Sequence, residues 1–194
     1  MKKQLIIDCD GVLLDPVWGF IKWFIFNFPN VNVARVIKNN ASFINEVFIS
    51  FWNSSDFSKI PVLKSSRYPI EFLKSKYSID VVTSCGDDLQ KRNARIKNLE
   101  RYFGKNTFQN IYTLPFNKSK KDIYRTYSDG IIIDDELKNI VDAQDCNSKF
   151  QTFWMSYHPV MKLLRNDQPE IEKTNIKRTN WKNIISTIAK SNIR

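Results

Sequence analysis

Gln4-Leu5-Ile6-Ile7-Asp8-Cys9-Asp10-Gly11-Val12-Leu13-Leu14-Asp15 is the stretch on which the reading of the fold depends. Leu5, Ile6 and Ile7 form an unbroken apolar run, and a run of that kind reads as a fully buried strand in a parallel sheet. It ends on two carboxylates one residue apart, Asp8 and Asp10. Placing two such charges at the end of a buried strand is costly unless a positive group lies among them. A hard divalent cation such as Mg2+ suits carboxylate and phosphate oxygens. Gly11 lets the backbone turn tightly where a ligand must approach. The plainer reading is a strand that stops in an acidic turn, and the rest of the chain has to decide between the two.

The chain has 194 residues, 42% of them hydrophobic and 13% aromatic, which suits a globular domain with a real core and excludes a disordered chain. The formal net charge of +10 favours anionic partners, from phosphorylated metabolites to nucleic acid. The three cysteines, Cys9, Cys85 and Cys146, are widely spaced, and His158 is the one histidine, so a structural zinc site is excluded. Sparse, odd cysteines suit a reducing compartment, and the expected location is cytoplasmic. Asp8 and Asp10 break the N-terminal apolar run, so it does not read as a signal peptide, and no stretch is long and apolar enough to span a bilayer. Oligomeric state is left open, with a homodimer among the options.

Outward from the opening strand, Pro16 to Pro29 reads as a nearly all-apolar helix, with proline suited to its first turn and its stop. Residues 30–59 read as interrupted helix, through Val33–Ile37 and Phe43–Phe48, and another amphipathic helix follows around Tyr68–Leu73. Further strands are expected at Ser78–Gly86, Asn110–Leu114, Gly130–Asp135 and Phe150–Trp154. Helices are expected at Leu89–Phe103 with Gly104 as C-cap, at Ile123–Tyr124, and at Trp181–Ile188, with 158–177 as charged loop. Alternating strands and helices predict an α/β fold, a Rossmann-like parallel sheet of about five strands with helices on both faces. Residues 1–15 and 76–194 form the expected core, and 16–75 a small helical cap inserted after the first strand.

In such folds ligands bind at the carboxyl ends of the strands. Asp8 and Asp10, Thr83 and Ser84, the lysine loop 118–121, and Asp134 with Asp135 all fall there. Singly, Thr83 could cap a helix, the lysines could be a solvated loop and the second acidic pair a turn. Together they suit phosphoryl transfer. Carboxylates hold Mg2+ against a phosphate, hydroxyl and lysine groups meet its remaining oxygens, and one carboxylate attacks phosphorus. A second carboxylate two residues on can protonate the leaving oxygen and later deprotonate the hydrolytic water.

Asp8-Cys9-Asp10-Gly11-Val12 resembles motif I of the haloacid dehalogenase superfamily, in its DxDG phosphatase form. Thr83 resembles motif II, a lysine of the loop (Lys120 best, with Lys118 and Lys121 as alternatives) motif III, and Asp134-Asp135 the DD form of motif IV. The resemblance implies Asp8 as nucleophile through an aspartyl-phosphate and Asp10 as general acid/base with its carbonyl on the metal. It implies that Asp134 and Asp135 complete the Mg2+ site. Asp10 sets the chain apart from the dehalogenase branch, which lacks that aspartate.

Within the superfamily the chain looks most like the 5'(3')-deoxyribonucleotidase family. The similar stretches are Phe20–Pro29, Phe51-Trp52 to Ile60-Pro61, the Thr83-Ser84 region with Arg95, Lys97 and Gly104, and Trp181–Ile184. This implies a nucleoside monophosphate as substrate, with Thr83, Ser84, Lys120 and Arg95 on the phosphate side; Trp18, Phe51 and Trp52 of the helical insert are the first candidates for base contacts, with core packing as the plainer reading of each. Pro16 stands where that family carries an aromatic residue, and Arg95 where it tends to carry lysine. Base and sugar preference therefore stay open. The net charge motivates an alternative substrate, nucleic-acid terminal phosphates or another phosphorylated metabolite, with Lys162, Arg165, Lys173, Lys177, Arg178 and Lys182 as candidates to track a phosphate backbone.

Overall fold

The opening strand lies at the centre of the molecule because it has no polar face to show to water. In the computed structural model, which describes residues 2–32, 41–86, 88–116, 118–155 and 176–191, β1 (Lys3–Ile7) buries Leu5, Ile6 and Ile7 almost completely. It pairs in parallel with β2 (Tyr77–Ser84) on one side and β4 (Gly130–Asp134) on the other. With β3 (Asn110–Leu114), β5 (Phe150–Met155) and β6 (Arg178–Thr179), the sheet has six strands in the order β3-β2-β1-β4-β5-β6, all pairs parallel. Strand order reverses on either side of β1, so the carboxyl ends of β1 and its neighbours open the crevice expected at such a switch point.

Alternation of side chains along the strands feeds two separate cores. Leu5, Ile7, Ile79, Val81, Ile131 and Ile133 face one way. They pack under α3 (Arg67–Leu73), α4 (Leu89–Phe103) and α7 (Trp181–Ser191), through Ile70, Leu73, Leu99, Phe103, Trp181, Ile184 and Ile188. Ile6, Val82 and Ile132 face the other way, against Tyr124 of α5 (Lys121–Tyr124) and Leu137, Ile140 and Ala143 of α6 (Leu137–Cys146). Helices on both faces are the only way to cover a sheet apolar on both sides.

Between Ile7 and Tyr77 the described residues carry α1 (Pro16–Asn27), α2 (Ala41–Trp52), 3-10 turns at Ser55–Lys59 and Lys64–Ser66, and then α3. Asp15 caps α1 by accepting from Trp18 N at 2.9 Å, and Pro16 stands at the first helical position, where its missing N–H costs nothing. Phe20, Phe24, Phe51, Trp52 and Phe57 continue the first core outward from the sheet.

Two features differ from the sequence expectation. β6 adds a sixth strand that is only two residues long, too short to carry a periodic pattern. Helix α6 was not among the expected elements, although Leu137, Ile140, Val141 and Ala143 stand at helical spacing. The helix expected around 33–37, His158, Lys162, Arg165 and Lys173 lie outside the described residues. Among the described residues, no helix is long and apolar enough to cross a membrane.

Candidate active site

The turn after β1 is fixed before any ligand is considered. Asp8 N donates to Ile133 O at 2.9 Å, extending the sheet ladder by one residue. Leu13 N and Leu14 N both donate to Cys9 O, at 2.8 and 2.9 Å, and Gly11 N donates to Leu14 O at 2.9 Å. This knot needs Gly11 at φ 84, a conformation that side-chain-bearing residues avoid. Trp181 of α7 anchors the turn from below through Nε1 to Val12 O at 3.0 Å. The result is a rigid loop that aims Asp8 and Asp10 into one cavity of about 700 Å³.

Of the three lysines in the 118–121 loop, Lys120 is the one that reaches the carboxylates. Its Nζ lies 2.7 Å from Asp8 Oδ1 and 2.8 Å from Asp134 Oδ2, and the residue is almost fully buried. Lys118 is exposed, 3.8 Å from Asp122, while Lys121 turns to Asp142 at 3.1 Å and Asp145 at 3.4 Å. Asp134 is fully buried and is held by Glu136 N at 2.9 Å and Asn139 Nδ2 at 3.1 Å, both on Oδ1. Asp135 faces the cavity, with its carbonyl fixed by Trp154 Nε1 at 3.0 Å.

Arg95 was expected on the substrate phosphate. Instead it is fully buried with Nη2 2.7 Å from Asp10 Oδ2, and its guanidinium lies 4.5 Å from the Phe57 ring centroid. The physical reason is position: Arg95 lies two turns into α4, on the face turned to the core that also carries Leu99. The carboxylate it meets is that of Asp10.

Charge and burial together define what the site can hold. Asp8, Asp134 and Asp135 each offer an oxygen within 4.8 Å of the others. Adding Asp10 gives four clustered carboxylates against two buried cations, Lys120 and Arg95. The difference is the charge of one divalent ion, and an all-oxygen donor set suits Mg2+. Without a metal, burial pushes the Asp8 carboxyl up to about 7 despite the opposing pull of Lys120, with Asp134 and Asp10 adding repulsion. Burial alone would lower the Lys120 ammonium, but Asp134 and Asp8 hold it well above the ordinary lysine range.

Thr83 and Ser84, at the end of β2, line the same cavity opposite the acidic group. Its outer wall is apolar, built from Pro16, Phe48, Ile49, Trp52 and Phe116, with Asn53 and Lys91 bonded to each other at 2.9 Å. The three candidate base contacts separate. Trp52 lines the cavity, Phe51 is buried among Phe20, Trp23 and Phe48, and Trp18 faces a different groove. Successive residues on α2 point about 100° apart, so Phe51 and Trp52 cannot share a role. Sequence reasoning missed Phe48, Phe116, Lys91 and Asn139. Only Asn139 carried a signal, standing one helical turn after Asp135.

No family model matches the chain, and no curated protein matches its sequence. Solved structures do. A haloacid dehalogenase-like hydrolase from Streptococcus pneumoniae superposes with a TM-score of 0.62 at 14% identity, covering 96% of this chain and 98% of that one. A haloacid dehalogenase-type hydrolase from Bacillus subtilis, described as bound to magnesium, gives 0.57 at 15% identity over 79% and 88% of the two chains. The L-2-haloacid dehalogenase of Xanthobacter autotrophicus gives 0.55 at 10% identity over 80% and 78%. These superpositions show that the chain shares the fold of haloacid dehalogenase-like hydrolases.

Proposed function

We propose that the protein is a Mg2+-dependent phosphatase that hydrolyses nucleoside monophosphates through an aspartyl-phosphate on Asp8. The observation that carries this reading is one cavity lined both by the carboxylates with Lys120 and by an apolar, partly aromatic set, Pro16, Phe48, Ile49, Trp52 and Phe116. A phosphate belongs at the first and a flat base at the second, and the volume of about 700 Å³ suits a ligand of that size.

Asp8 attacks phosphorus, and the bond from phosphorus to the leaving oxygen breaks as that oxygen takes a proton from Asp10. Water then attacks the phosphorus of the aspartyl-phosphate and gives a proton to Asp10. The phosphorus–Asp8 bond breaks, releasing phosphate and restoring the Asp8 carboxylate. Thr83, Ser84 and Lys120 supply donors to the phosphate oxygens, and Arg95 holds Asp10 in one orientation. Asp8 and Asp135, with the Asp10 carbonyl, would hold Mg2+, while Asp134 fixes Lys120. Bound there, Mg2+ neutralises phosphate oxygens and keeps the phosphorus against its nucleophile.

A panel of nucleoside monophosphates assayed with Mg2+ and with chelator tests the reading. Phosphate release that requires Mg2+ and is lost in Asp8→Asn supports it. Halide release from a 2-haloacid with no phosphate release from any nucleotide would overturn it. Release confined to the termini of oligonucleotides would keep the chemistry and change the substrate.

A further inference from the structure

Trp18 is one aromatic side chain that the sequence singled out and the acidic cavity does not use. It is half exposed, an unusual position for an indole unless something covers it. It lines a second groove of about 680 Å³, formed by the start of α1, the segment 61–65 and Tyr102 of α4. A cation lies over each ring here. Lys22 and Lys64 line the same groove, with Lys22 Nζ 5.6 Å from the Trp18 centroid, and the Arg67 guanidinium lies 5.7 Å from that of Tyr102. Lys22, Lys64 and Arg67 are all exposed and can reach outward to a ligand. Asp15 is the one carboxylate lining it, and it accepts from Trp18 N as the cap of α1.

We propose that this groove binds single-stranded nucleic acid. The chain carries a net charge of +10, far more than one mononucleotide requires, and charge of that sign attracts a polyphosphate backbone. Trp18 and Tyr102 each carry a cation over one face, and unpaired bases stack on such rings and on arginine guanidinium planes while their phosphates meet lysine and arginine. Duplex bases have no free face to offer, so the groove selects single strands. Asp15 belongs to this groove and the adjacent Pro16 to the acidic cavity, so the two sites share the β1–α1 loop as a wall. The proposal does not rest on the phosphatase reading, since binding is measured without turnover.

Fluorescence anisotropy of a labelled single-stranded oligonucleotide of about ten nucleotides, titrated with the full chain, tests it. Affinity is expected to fall steeply between about 50 and 200 mM salt. Trp18→Ala is expected to weaken binding about tenfold, about 1.4 kcal/mol. Lys22→Glu with Lys64→Glu should reduce it further while leaving the unfolding midpoint unchanged, and this surface pair keeps the test open if Trp18→Ala folds poorly. Excess mononucleotide should not displace the strand. Any one of four results would overturn the proposal: no binding at low salt, variants that bind as tightly as the parent, tighter binding to duplex, or displacement by mononucleotide. Capture by anionic phosphatidylserine vesicles with no oligonucleotide binding would assign the groove to a membrane surface instead.

Discussion

Asp8 shows what burial does to a single carboxyl and what that does to stability. Burial pushes its carboxyl up to about 7 in the metal-free protein. The unfolded chain releases that proton near the ordinary aspartate value, whereas the folded chain keeps it until about 7. Within that window the folded state binds more protons, so unfolding becomes easier as pH rises. Urea unfolding in chelator between about pH 5 and 8 should therefore show wild-type stability falling with pH relative to Asp8→Asn. Parallel pH profiles for the two proteins would show that Asp8 is not so perturbed. Arg95 teaches a related lesson. The family resemblance placed it on the phosphate side, but its contact with Asp10 depends on which face of α4 turns inward, and that is settled by packing.

At the level of elements, the first helix is tied to Phe51 and the Ile60-Pro61 segment by an absence of side chain. A Cβ added at Gly19 would meet Pro61 Cδ at 3.3 Å, Phe51 Cζ at 3.4 Å and Ile60 Cγ1 at 3.5 Å. That close approach lets α1 lie against the segment leading out of the insert, where Asp15 N also donates to Pro61 O at 2.8 Å. Gly19→Val should force the two apart and cost about 1–3 kcal/mol, read as a lower urea midpoint. Gly19→Ala should cost less, because a few tenths of an ångström of yielding suffices and alanine regains about 1 kcal/mol of helix propensity. Equal stability of Gly19→Val and the parent would mean that the contact is loose. Phe51 and Trp52 make the same point from the other side, one in the core and one on the cavity although they are neighbours in sequence.

For the molecule as a whole, the carboxylate cluster concentrates negative charge that a bound divalent cation would offset. Mg2+ at about a hundred times its dissociation constant should stabilise the fold by about 2.7 kcal/mol. For a domain of this size that is a rise of about 5–10 °C in the unfolding midpoint. Differential scanning fluorimetry with Mg2+ and with chelator measures it, and Asp135→Asn should abolish most of the rise. A midpoint indifferent to Mg2+ in the wild type would remove the cluster as a metal site.

The sequence by itself determined the five longer strands and the carboxylates that end two of them. Leu5 to Ile7 and Ile131 to Ile133 are apolar without interruption, which only a sheet covered on both faces can bury, and the carboxylates that end these runs must then lie at one edge. Helix α4 and its Gly104 cap were legible for the same local reason, since their signals lie within a few residues. Tertiary structure alone decided which lysine enters the site, what Arg95 touches, and which aromatic residues line the cavity. Those outcomes depend on helix rotation and on the meeting of segments as distant as Asp8 and Lys120, distances over which spacing in sequence carries no information.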